Sequence, residues 1–125
     1  MVTTDTTHLN RECNAWREQL RSYREAMGRL QHELQQFARD QSDKEVLTEV
    51  EHFYNQFYIQ QINIHDLKQS IKLHERRVLL ANGSGDNPEV NTAVKEHELL
   101  HEQFEFLEQT IKQLVHDFSL FTAKA

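Results

Sequence analysis

Imidazole is the most abundant reactive group in this chain. Eight histidines occur among 125 residues: His8, His32, His52, His65, His74, His97, His101 and His116. Neutral imidazole is a common ligand of zinc and other transition metals, and it changes charge near neutral pH. Six of the eight are expected to face water. His74 and His97 instead fall on otherwise apolar stripes, which places them inside a helical core. His101 follows His97 by one helical turn, so the two can chelate one ion from one helix face. His74 then supplies a third ligand, and a carboxylate such as Glu12 or Glu75 a fourth. His8 stands one turn before Glu12. The candidate metal group is therefore His8, Glu12, His74, His97 and His101, with zinc or iron as the metal. The competing account of the same residues is a polar core layer near a bundle end, bonded to itself, to Gln or Glu, or to water.

The other reactive types offer less. Cys13 is the only cysteine, so an intrachain disulfide and a cysteine-based zinc motif are both excluded. It falls on an apolar stripe, where a small core residue is expected rather than a nucleophile. Gly83 and Gly85 precede a helix but lack the lysine and the strand of a phosphate-binding loop. Glu49 with His52, and Glu98 with His101, match the spacing of di-iron bundles, but the two pairs are expected more than about 20 Å apart along the axis. No catalytic residue is assigned, and the chain is expected not to be an enzyme.

Charge narrows the partners. The net charge is −6, a poor match to phosphates or anionic membrane. The basic cluster Lys68, Lys72, Arg76 and Arg77 has no interleaved aromatics, as a nucleic-acid groove would need. It is expected to complement the C-terminal dipole of its own helix and the acidic Glu89 and Glu96. The longest apolar run is about four residues, against roughly 20 for a membrane span. Residues 1–7 are polar, without the apolar stretch of a signal peptide. These features predict a cytoplasmic protein that binds neither nucleic acid nor membrane.

Long helices must position these groups. The first stripe is Leu9, Cys13, Trp16, Leu20, Tyr23, Met27, Leu30, Leu34 and Phe37. Its spacings alternate four and three, the coiled-coil pattern. Val46 is half a turn out of phase with Phe37, and residues 39–45 are polar. Ser42 with Glu45 reads as a capping box, so a turn is expected near 40–42. The second stripe is Val46, Val50, Phe53, Phe57, Gln60, Ile64, Leu67, Ile71, His74 and Val78. Gly83 fits the position after a helix end, Asn87 a cap, and Pro88 a first helical position. The third stripe is Val90, Val94, His97, Leu100, Phe104, Leu107, Ile111, Leu114, Phe118 and Phe121, with a stammer at Val94–His97–Leu100.

The prediction is a single all-α domain over residues 1–125. It is an antiparallel three-helix bundle or coiled coil with helices at 7–39, 43–82 and 87–122, after a disordered segment 1–6. Arg17, Arg21 and Arg24 are expected at the height of Glu102, Glu105 and Glu108. His8, His74 and His97 should share one end of the rod.

A three-helix core does not obviously cover every apolar residue. Tyr54, Tyr58, Ile59 and Ile62 lie beside or beyond the second stripe, and Leu99 and Phe106 stand off the third. Exposed apolar patches mark partner sites. The expected function is a helical interaction or scaffold module without a cofactor. It would bind itself as a homo-oligomer, or another helical protein. The alternative is a metal-binding bundle, a metal or pH sensor built on the histidine group. Charging core histidines opposes folding, so lower stability is expected near pH 5 than near pH 7.5.

Overall fold

The computed structural model describes residues 6–81 and 88–124 of the chain. Three helices follow in order: α1 (Thr6–Arg39), α2 (Lys44–Ala81) and α3 (Pro88–Lys124). They pack as a bundle, with no strand among the described residues. The expected disordered segment and the Gly83 and Asn87 caps lie outside the described residues, except Thr6, which already belongs to α1. No helix among the described residues is long and apolar enough to cross a membrane.

Each helix buries the stripe that its spacing marks. Leu9, Cys13, Trp16, Leu20, Met27 and Leu34 are the buried face of α1. Phe53, Phe57, Ile64, Leu67, Ile71 and Val78 are that of α2, interrupted by buried Gln60 and His74. On α3 the buried series is Val90, Ala93, His97, Leu100, Phe104, Leu107, Ile111, Leu114 and Phe118. This series corrects the stammer. Ala93 takes the inward position and Val94 is only half-buried, so the spacing stays three and four throughout. Ala93 packs there with Leu9 and Val78, and Val94 lies against the same cluster.

The chain reverses between α1 and α2 over residues 40–43. Asp40 and Gln41 donate back to Phe37 and Ala38. The cap of α2 is Asp43, one residue later than the predicted Ser42. Its carboxylate accepts from the backbone N–H of Glu45 at 2.8 Å and of Val46 at 3.2 Å. These are two of the N–H groups that a helix start leaves without intrahelical acceptors.

Aromatic packing fixes this end of the bundle. Phe53 lies 5.1 Å from Phe121, Phe57 5.2 Å from Phe118, and Phe37 5.3 Å from Phe121. The end of α3 is thereby set beside the start of α2 and the end of α1, an up-down-up arrangement. The opposite end joins the start of α1, the end of α2 and the start of α3. The predicted cross-bundle charge pairs do not form among the described residues. Arg17 meets Glu75 at 2.9 Å and Arg21 meets Glu18 at 3.4 Å, while Glu108 accepts from Tyr23 at 2.5 Å.

Candidate metal centre

A polar layer crosses the core where α1 begins. Cys13 lies between Leu9 and Trp16 on the buried face of α1. His74 lies between Ile71 and Val78 on α2, and His97 between Ala93 and Leu100 on α3. Each occupies an inward heptad position, and side chains at such positions are directed toward the facing helices. One helix thus contributes one donor residue. All three are buried, and their donor atoms lie within 4.8 Å of one another.

The nitrogens have defined partners. His74 Nδ1 is 2.6 Å from Glu96 Oε1, and His97 Nε2 is 2.8 Å from Glu12 Oε1. Both carboxylates are placed to accept from an outer ring N–H. Glu96 is also held by Arg77. Between the rings, His74 Nε2 and His97 Nδ1 face each other at 2.9 Å. Cys13 Sγ stands 4.0 Å from the same His97 Nδ1.

Counting protons shows what this layer lacks. Three close contacts run from Glu96 through His74 and His97 to Glu12, and each needs one proton. Two neutral imidazoles carry one N–H apiece. With both outer positions protonated, two lone pairs meet at the centre. A third proton, a metal cation, or one ring carrying its N–H on the inner nitrogen resolves that meeting. Carboxylates on the outer ring nitrogens, with inner nitrogens free to ligate, form the arrangement that orients metal-bound histidines in general.

The surroundings tune the donors. Burial pushes the Cys13 thiol up to about 12, reinforced by Glu75 and Glu12 and opposed by Arg17. Without a metal it therefore stays a thiol, and a bound cation is what would displace its proton. Burial also lowers the pKa of His97, aided by the nearby His74 and His101 and opposed by the hydrogen bond to Glu12. Trp16 stacks on the His97 ring with centroids 4.5 Å apart and fixes its plane.

Of the predicted metal group, His74 and His97 converge, and Glu12 sits behind His97 as an acceptor. His8 is exposed, with Nε2 3.4 Å from Glu12. His101 is not among the converging donors. Four residues carry the chain about 40° past a full turn, Leu100 takes the inward position, and His101 turns to Glu105 at 3.2 Å. Glu75 is engaged with Arg17. Two participants were not foreseen. Cys13 looked like core filling because a lone cysteine on an apolar stripe carries no motif. Glu96 pairs with basic Arg77 as its charge suggests, and its place next to His97 in sequence and level with His74 is the signal that also marks it as a histidine partner.

The six residues expected at an interface are all exposed: Tyr54, Tyr58, Ile59, Ile62, Leu99 and Phe106. They do not line one groove. Tyr58 and Ile62 border a groove on the α1 side of α2, with Arg24 and Lys68. Phe106 borders the groove between α2 and α3.

No protein-family model, no curated protein and no solved structure matches this chain.

Proposed function

We propose that this chain is a non-enzymatic metal-binding helical bundle, in which a divalent transition metal ties the three helices together at one end. The observation that carries this reading is the convergence of Cys13, His74 and His97, one from each helix, with Glu96 and Glu12 holding the outer imidazole N–H groups.

The donor set selects the metal. One thiolate and two imidazoles suit a borderline-soft ion, so zinc fits best and iron(II) is the alternative; calcium and magnesium prefer oxygen. Tetrahedral zinc, with bonds of about 2.0–2.3 Å, requires N···N near 3.3 Å and S···N near 3.6 Å. The observed 2.9 Å and 4.0 Å differ from these by about 0.4 Å each, and the third edge, from Cys13 to His74, is within 4.8 Å. The fourth position remains for a water molecule. Because the ligands come from three helices, the site exists only in the folded bundle. Binding free energy then becomes folding free energy, which is the physical basis of a sensor.

The test is metal content. Untagged protein, stripped with a chelator and refilled with zinc or iron(II), should retain about one equivalent after dialysis. Cys13→Ala and His74→Ala should each retain none while keeping wild-type helical circular dichroism. A wild-type protein that retains neither metal would overturn the proposal.

A further inference from the structure

Exposed apolar side chains are distributed unevenly over the bundle. Twelve large ones are exposed among the described residues: eight on α2, four on α3 and none on α1. α1 is a bundle helix of similar length, so forming this bundle does not by itself require such exposure.

The α2 residues have an order of their own. Positions 59, 62, 66, 69, 73, 76 and 80 are spaced alternately three and four, and all are exposed. This is a second heptad stripe, on the opposite side of α2 from His74. Ile59, Ile62, Leu73 and Leu80 are its apolar members, with Leu80 80% exposed. Its charged members are Asp66 and Arg76, and neither has a salt-bridge partner among the described residues.

A helix whose two opposite faces both carry heptads can pair on both. The charges decide which partner and which direction. A parallel second copy would set Asp66 against Asp66 and Arg76 against Arg76. An antiparallel copy, with its two-fold axis at the level of Ile71, sets each Asp66 against the partner's Arg76. The same register sets Ile62 against the partner's Leu80 and Gln69 against the partner's Leu73. We propose that the outer stripe of α2 docks antiparallel on the same stripe of a second copy of this chain. The pairing is isologous, as a two-fold dimer requires, and overlaps over about 30 Å of helix.

Charge reversal tests the register. Sedimentation velocity over a concentration series should show a reversible dimer for the wild-type chain. D66R and R76D each place like charges across both symmetric contacts, and each should weaken the dimer about tenfold or more. The double variant D66R/R76D restores opposite charges and should dimerise like wild type. An equimolar mixture of the two single variants should form a heterodimer, because every contact is again complementary. All four proteins should keep wild-type helicity and zinc stoichiometry, so failure here is distinct from failure of the metal reading. A wild-type monomer at every concentration would overturn the proposal. So would a dimer indifferent to the reversals, or loss in the single variants without rescue in the double.

Discussion

With two protons for three contacts, the metal-free layer bonds its inner nitrogens only where one ring presents its N–H to the other ring; if it does, removing either ring must cost more than its own contacts. Consider His97→Ala in metal-free protein near pH 7.5. The substitution leaves His74 Nε2 without a partner in a fully buried residue. An orphaned buried polar atom costs about 1–3 kcal/mol. It also removes the stack on Trp16, about 0.5–1.5 kcal/mol. Glu12 is partly exposed and returns to water at little cost. The sum is roughly 1.5–4.5 kcal/mol, before any void left by the ring. Urea denaturation followed by far-UV circular dichroism measures it. The decisive comparison adds His74→Ala and the double variant. Each single variant orphans one inner nitrogen and the double orphans none, so the double should be less destabilised than the sum of the singles by about 2 kcal/mol or more. Additivity within about 0.5 kcal/mol would refute the bonded pair.

Two further outcomes follow from other residues. Burial lowers the pKa of His97, so below its ordinary value near 6.5 the unfolded chain binds more protons than the native one. Its contribution to stability should be complete above about pH 6.5 and lost as pH falls, at up to about 1.4 kcal/mol per pH unit. Urea midpoints at pH 7.5 and 5.5 measure the slope; an identical slope in His97→Ala would contradict the assignment. Gly28 lies in the middle of α1, and a Cβ added there meets nothing within 4 Å. Gly28→Ala should therefore stabilise the protein by about 0.5–1 kcal/mol; a loss of stability in the same assay would show a constraint not visible in the packing.

The helices were legible because their signal is redundant. Nine or ten residues per helix repeat the alternation of four and three, so the polar substitutions Gln60, His74 and His97 did not obscure it. The errors arose where apolarity alone ranked neighbours. Val94 is the more apolar of two neighbours, but Ala93 is the one that turns inward onto Leu9 and Val78. Ser42 with Glu45 matches a capping box, which is a sequence pattern, whereas the helix starts where the Asp43 carboxylate reaches two N–H groups. The level of the histidine layer followed from mirroring the chain about its two turns. Its membership did not, because donors from three helices meet through rotation about each helix axis. A difference of one residue separates inward Leu100 from outward His101. Cys13 became a donor only once α1 was set beside α3.

The most direct measurement is a cobalt(II) titration of the metal-free protein followed by absorption. The account predicts saturation at about one equivalent, with a near-ultraviolet thiolate-to-cobalt band and the strong visible bands of a tetrahedral site. The thiolate band should be absent in Cys13→Ala, and zinc should displace the cobalt. A saturating spectrum without a thiolate band would contradict the Cys13, His74 and His97 centre, as would weak octahedral bands unchanged by Cys13→Ala.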